Sequence, residues 1–178
     1  MITLACAVVV VGALCLVDLL LTFGVVRRLR EHAALLAGIQ SSAVPGSGLS
    51  DGDKPEPFTA TDAEGIAVHG PAGLGVVAFF STTCPVCPLR APAFVEYVRA
   101  HHPARDPVLA VITGDAGASV PYLADLMKVA RVCFEPAGGP VSQGFALKAV
   151  PAFFVLDEDG TVLTSHHDPA ALPVPART

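Results

Sequence analysis

The sequence has few charged residues and no tryptophan: 15% of its 178 residues are charged, whereas 52% are hydrophobic. This balance excludes a chain that is disordered throughout, because disorder goes with low hydrophobicity and high charge. Basic residues are also in the minority, since the net charge is −5 and residues 45–178 carry 14 acids against 8 bases. The deficit argues against nucleic-acid binding, which requires a basic surface.

Cysteine is scarce as well, and its placement is informative. Five cysteines are too few for a disulfide scaffold. Only Cys84 and Cys87 form a Cys-x-x-Cys pair, and the chain has neither a second such pair nor a His-x3–5-His. A structural zinc site would therefore lack half of its ligands, and no metal is predicted.

The apolar surplus is concentrated at the start of the chain, where residues 2–26 hold 20 apolar side chains in 25. Such a helix spans roughly 37 Å, and a bilayer core requires about 20 residues. No Lys or Arg precedes the run, which is also longer than the apolar core of a cleaved signal peptide. Residues 1–26 are therefore predicted to form a single-pass membrane anchor, and the rest has the length of one domain.

Three arginines follow the predicted anchor directly, at Arg27, Arg28 and Arg30. The positive-inside rule would place them, and everything after them, in the cytoplasm. Residues 27–44 are predicted to continue as a helix. The segment Pro45–Pro57 is rich in Gly, Pro, Ser and Asp and is typical of a flexible spacer.

The remaining chain alternates strand-like and helix-like segments, which predicts an α/β fold with a central sheet. A hairpin around Asp157–Gly160 makes the predicted sheet mixed. Prolines after Thr164 leave little room for a final helix, so one sheet face is either exposed as a docking surface or covered by an earlier segment. The predicted strands cover 58–61, 66–68, 75–80, 108–113, 132–134, 152–156 and 161–164, and the helices cover 85–101, 119–130 and 141–147.

The chemistry is predicted from Cys84-Pro85-Val86-Cys87, which lies where the apolar strand ends and a helix begins. Pro85 suits the first helical position, so Cys84 would face free N–H groups and the positive end of the helix dipole. Both lower a thiol pKa below its free value of about 8.5. Cys84 is thus the predicted nucleophile and Cys87 the thiol that resolves the mixed disulfide. Because Pro85 and Pro88 lack N–H groups, those of Val86 and Cys87 are left to face Cys84.

Two other interpretations of the cysteine pair differ in how well the sequence fits them. A purely structural disulfide is compatible with the spacing. A peroxidatic cysteine is not, because the peroxiredoxin pattern would need proline and threonine where Val77 and Ser81 stand.

Three features in order carry a family resemblance: the strand followed by CPVC, Pro92 eight residues after Cys84, and Val150-Pro151 just before the strand AFFVL. With them the chain resembles the membrane-anchored, TlpA-like thioredoxin-fold disulfide reductases. The stretch FFSTTCPVC is similar to MauD-like accessory proteins of methylamine utilisation. The resemblance implies a thioredoxin-like fold and a cis bond before Pro151. It also implies that Val150 offers backbone groups to an extended substrate segment, and Pro85 and Val86 are assigned to the same substrate-binding surface.

Departures from the family pattern concern the surroundings of the thiols. Ala78 stands where thioredoxins carry a buried acid, Arg90 where TlpA-like reductases often carry glutamate, and Thr83 where tryptophan is common. If Arg90 lies near the thiols, it favours thiolate and makes the disulfide more oxidising. Cys133, in a predicted strand, is expected to be a buried free cysteine.

The prediction is therefore a membrane-tethered thiol–disulfide oxidoreductase that needs no cofactor and exchanges disulfides with partner proteins. A transmembrane electron-donor protein is a further partner by analogy. The domains are an anchor (1–26), a juxtamembrane helix and linker (27–52), a thioredoxin-like domain (53–168) and a Pro-rich tail (169–178). The single-pass protein is assigned to the cell membrane with its redox domain outside, where disulfides persist, although the arginines favour the inside. The alternative is a non-enzymatic maturation chaperone that binds a partner protein by its surface.

Overall fold

The structure, a computed structural model, describes residues 47–102, 104, 105 and 107–174, together with Gly12. Apart from Gly12, the predicted anchor lies outside this part of the chain, and so does the predicted juxtamembrane helix. Within it, no helix is both long enough and apolar enough to cross a membrane.

A five-stranded mixed sheet forms the centre of the domain, as the sequence predicts. Its five strands are β3 (Val76–Ser81), β4 (Val108–Thr113), β5 (Arg131–Glu135), β6 (Ala152–Leu156) and β7 (Val162–His166). Strand β3 pairs in parallel with β4 and antiparallel with β6, while β5 and β7 form the two edges. The central strands are continuous apolar runs because both of their faces are covered.

Alternate side chains of the sheet enter two separate hydrophobic clusters. Phe80 and Phe153 face helix α1 (Cys87–His101). Phe79 and Phe154 face the other way, towards a separate hairpin of β1 (Phe58–Thr61) and β2 (Ala67–Gly70) and towards helix α3 (Pro140–Gly144). Because side chains on a strand alternate between the two faces, β3, β4, β5 and β6 each contribute to both layers of the fold.

The predicted helix over 119–130 is wrong in extent. Only Leu123–Leu126, here helix α2, is regular. Further along, the Lys128 N–H donates to the Asp125 carbonyl and the Val129 N–H to the Leu126 carbonyl. These two bonds reach back three residues, whereas the Ala130 N–H donates to the Leu126 carbonyl four residues back, so the chain continues in irregular turns.

Residues of the predicted spacer contact the domain instead of standing free. The Leu49 N–H donates to the Phe145 carbonyl at 3.1 Å, and the Lys148 N–H donates to the Ser47 carbonyl at 3.0 Å. Farther on, the Gly52 N–H donates to the carbonyl of Val162 at the sheet edge. The segment is held because it pairs backbone groups that the end of α3 and the edge strand would otherwise leave open.

The predicted Pro-rich tail also packs against the domain. A 3-10 turn covers Pro169–Ala171, Leu172 is buried in the cluster beneath α1, and the Tyr97 hydroxyl donates to the Pro173 carbonyl at 2.9 Å. The α1 face of the sheet is therefore covered without a final helix. Leu163, on edge strand β7, is a large apolar side chain that remains 55% exposed.

Candidate active site

The cysteine pair lies in the connection between β3 and α1. The Cys84 N–H donates to the Ser81 carbonyl, and α1 begins at Cys87 rather than at Pro85. A helix starting at Pro85 would need an N–H on residue 88 to reach the Cys84 carbonyl, and Pro88 has none. The first carbonyl that accepts is instead that of Val86, from the N–H groups of Leu89 and Arg90.

The two thiols are free and differ in exposure. Cys84 is partly exposed, whereas Cys87 is fully buried. The Cys87 N–H donates to Cys84 Sγ at 3.1 Å, which confirms the prediction that this N–H group faces the first thiol. The Cys84 Sγ lies 3.8 Å from the Val150 carbonyl oxygen.

Hydrogen bonding separates the acidities of the two thiols. The Cys87 thiol donates to the Cys84 sulfur and, with the N–H groups of Cys87 and Val86, lowers the pKa of Cys84 to about 6, although partial burial opposes the change. The same thiol–thiol bond, together with burial, raises the pKa of Cys87. At neutral pH Cys84 is therefore a thiolate and Cys87 a thiol.

The Val150–Pro151 loop faces this pair from the neighbouring strand. The peptide bond between the two residues is cis, as the resemblance implies. Val150 is partly buried and contacts both hydrophobic clusters, while Pro151 is buried at the start of β6. A groove of about 400 Å³, lined by Thr113, Gln143 and Lys148 among others, extends from Val150 along the surface.

Arg90 does not direct its charge at the thiols. Its Nη1 forms an ion pair with Asp168 Oδ2 at 2.8 Å. The pKa of Cys84 is lowered instead by the Cys87 thiol and by the N–H groups of Cys87 and Val86. The predicted tuning of the thiols by Arg90 thus has no support in the geometry, because the guanidinium is neutralised by a residue 78 positions away.

Tyr122 is a neighbour of the thiols that the sequence did not indicate. Its hydroxyl lies 3.5 Å from the Ser81 carbonyl, the same group that accepts the Cys84 N–H. Burial, with an added electrostatic contribution from the nearby cysteines, raises the pKa of Tyr122. No local pattern marks this residue, since its position depends on how the chain returns from β4.

His167 and Asp168 were also missed. His167 Nδ1 lies 2.6 Å from the Pro151 carbonyl oxygen, and Asp168 holds Arg90. The signal was present in the closing hairpin, because pairing of Phe153 with His166 brings the next residue beside the start of β6.

Among the described residues no group of three or more His, Cys, Asp or Glu side chains could hold a metal ion. Cys133 is a free thiol in β5, 1% exposed, which confirms the predicted buried cysteine. Burial raises its pKa to about 11.

Comparisons with known proteins establish the fold. No protein-family model and no curated protein matches the sequence. A Chlorobium tepidum protein assigned as thiol:disulfide interchange protein DsbE is similar at 24% identity and a TM-score of 0.55, over 66% of this chain and 85% of that one. A secreted Mycobacterium tuberculosis disulfide oxidoreductase homologous to E. coli DsbE is similar at 24% identity and a TM-score of 0.51, over 64% and 85%.

A third similar structure is the thioredoxin domain of a thiol-disulfide oxidoreductase from Bacteroides vulgatus. It shares 15% identity with a TM-score of 0.55, over 66% of this chain and 88% of that domain. The described residues therefore have a thioredoxin-like α/β fold with a central mixed sheet.

Proposed function

We propose that the protein is a thiol–disulfide oxidoreductase that exchanges disulfides with partner proteins through Cys84 and Cys87. The observation that carries the proposal is the asymmetry of the pair. Cys84 is accessible and accepts the Cys87 N–H at its sulfur, whereas Cys87 is buried and protonated. A nucleophilic thiol and a resolving thiol require this division.

In the reducing direction the thiolate of Cys84 attacks one sulfur of the substrate disulfide. The Cys84–substrate bond forms, the substrate S–S bond breaks, and its other sulfur leaves with the electron pair as a thiolate that takes up a proton. Cys87 then attacks Cys84 Sγ and gives up its proton, which the departing substrate sulfur takes up. The Cys84–Cys87 bond forms as the Cys84–substrate bond breaks, and the substrate leaves as a dithiol. The reverse sequence oxidises a substrate.

Substrate binding is proposed for the surface around Cys84. Pro85 is exposed and Val86 partly exposed on one side of the thiol, and Val150 with Pro151 lies on the other. The short distance between the Val150 carbonyl and Cys84 Sγ supports this assignment, because an extended segment bound to the loop backbone would bring its own sulfur to Cys84.

The tether and the compartment belong to the proposal as well. We assign residues 1–26 to a membrane anchor, 27–52 to a connection whose last residues contact the domain, 53–168 to the redox domain and 169–178 to a tail that begins packed against it. The apolar content of residues 2–26 and the resemblance to MauD-like proteins support this arrangement, with the domain outside the membrane and a transmembrane electron donor as partner. Membrane-impermeant maleimide should label Cys84 in intact, reduced cells. Protection of a thiol that reacts after lysis would contradict the outer location.

The exchange activity is tested with the reduced protein and a protein disulfide. Wild type should reduce it, Cys84→Ser should not react, and Cys87→Ser should accumulate the mixed disulfide. A Cys84→Ser, Cys87→Ser double variant that keeps its biological function would instead favour the non-enzymatic chaperone. Redox titration then gives the direction, with a potential near about −270 mV for a reductant and near about −120 mV for an oxidant.

A further inference from the structure

His167 and Asp168, which directly follow β7, contact the two elements on either side of Cys84: the Val150–Pro151 loop and helix α1. His167 Nδ1 lies 2.6 Å from the carbonyl oxygen of Pro151, in the loop opposite Cys84. Asp168 Oδ2 lies 2.8 Å from Nη1 of Arg90, in the first turn of α1. Cys84 lies between these elements, with its sulfur 3.8 Å from the Val150 carbonyl. One dipeptide thus connects the cysteine side of the site to the loop side.

The chemistry of each contact is specific. A carbonyl oxygen only accepts, so the proton of the His167 ring must be on Nδ1. The other ring nitrogen, Nε2, is buried and has no hydrogen-bond partner among the described residues, so the Pro151 bond fixes the ring. Asp168 uses its oxygens separately: Oδ1 accepts the Ala170 N–H, and Oδ2 holds Arg90.

The chain on both sides of the dipeptide is anchored. Before it, β7 pairs with β6, which begins next to Pro151. After it, Leu172 is buried beneath α1, and the Pro173 carbonyl accepts a hydrogen bond from the Tyr97 hydroxyl. His167 and Asp168 therefore project from a supported segment, which lets them resist movement of the loop away from α1.

We propose that His167 and Asp168 are positioning residues that hold the Val150–Pro151 loop and the first turn of α1 at the separation needed for exchange with protein disulfides. The inference rests on the proposed function, because it assumes that a substrate backbone binds this loop while its sulfur meets Cys84. A small organic disulfide needs only the Cys84 thiolate. Loss of either contact should thus slow exchange with proteins and spare small disulfides.

The first test replaces His167 with side chains that place a donor differently. The amide nitrogen of His167→Asn can occupy the position of Nδ1 and donate to Pro151, whereas that of His167→Gln extends towards Nε2. We expect His167→Leu and His167→Gln to lower the rate constant with a protein disulfide about 10-fold, and His167→Asn to stay within about 3-fold of wild type. Rates with bis(2-hydroxyethyl) disulfide should change less than about 2-fold throughout.

The second test separates positioning from electrostatic tuning. Arg90→Gln removes a positive charge, and Asp168→Asn removes a negative one while keeping an acceptor for the Ala170 N–H. If the two charges tuned the thiol electrostatically, the pKa of Cys84 measured by titration would shift in opposite directions in the two variants. Positioning predicts unchanged titrations and a similar loss of protein exchange in both.

His166→Leu is the matched control, because the neighbouring ring contacts Thr164 rather than the loop. It should leave both rates unchanged. Thermal unfolding identifies a variant that fails to fold; if His167→Leu does, the Asn and Gln variants still decide the question. Equal rates of exchange with the protein disulfide for His167→Asn and His167→Gln would overturn the positioning role alone. So would a variant that slows exchange with small and with protein disulfides equally. A reduced wild type inert towards every disulfide would overturn the proposed function and the positioning role with it.

Discussion

Cys84 and Cys133 are both free thiols of the same domain, yet their surroundings move their acidities in opposite directions. At both thiols, burial by itself acts to raise the pKa. At Cys84 the donors, the Cys87 thiol and the nearby N–H groups, outweigh burial and bring the pKa to about 6. At Cys133 burial dominates, nearby Asp62 adds to it, and the pKa is about 11. Reactivity therefore depends on which donors a thiol meets where a helix begins, more than on burial alone.

The largest contrast should appear in catalysis. Cys84→Ser should lower the rate of exchange with a protein disulfide by more than about 1000-fold, because a hydroxyl neither ionises at neutral pH nor attacks a disulfide. Cys133→Ser serves as the control and should keep the wild-type rate as long as the protein is folded. Equal losses in both variants would remove the distinction between the two thiols.

Alkylation should show the difference in acidity directly. Only the thiolate reacts, so the rate for Cys84 with iodoacetamide should rise with pH, reach half its plateau at about pH 6 and stay level above it. Cys133 should remain unlabelled in the folded protein until denaturant is added. Mass spectrometry of peptides from the reduced protein separates the two sites. A midpoint for Cys84 near the free value of about 8.5 would contradict the geometry.

The charged neighbours of Cys133 should affect stability rather than catalysis. Asp62 is buried and accepts hydrogen bonds from Nε and Nη2 of Arg131 at 3.0 and 2.9 Å. These bonds hold the β1–β2 hairpin region against β5. Asp62→Asn should lower the free energy of unfolding by about 2–4 kcal/mol, because it leaves the guanidinium without its countercharge. Urea unfolding measures this loss. Lys128 and Asp125, an exposed pair, provide the control, and Asp125→Asn should leave the urea unfolding curve close to that of the wild type.

The smallest effect is expected at the Cys133 sulfur itself. Cys133→Ala removes one buried atom and should cost about 1 kcal/mol of stability, while Cys133→Ser should cost more because it buries a hydroxyl. Both should retain the exchange rate. An exchange rate that falls with Cys133→Ala would give this thiol a part in the reaction.

The cysteine pair and the alternation of elements could be predicted because they depend on local sequence. The apolar runs located all five strands of the sheet, and CPVC located the reactive turn. The start of α1 was predicted at Pro85 but lies at Cys87, because Pro88 has no N–H for the Cys84 carbonyl. The contacts of Arg90 and Tyr122 could not be predicted, since each partner lies dozens of residues away and depends on the packing of separate elements.

The segment ahead of β1 was misjudged for the same reason. Its composition is that of a spacer, yet its backbone completes hydrogen bonds that α3 and the sheet edge leave open. Composition describes what a segment would do alone, whereas these bonds depend on what lies beside it.

The bond between Ser47 and Lys148 has a mechanical consequence. A pull on the chain ahead of Ser47 acts first on that hydrogen bond and on the one between Leu49 and Phe145. Lys148 lies only two residues before Val150, whose carbonyl faces the reactive sulfur. A load applied there would therefore pass through Lys148 to the segment that carries the Val150–Pro151 loop, as well as through Phe145 to the buried cluster.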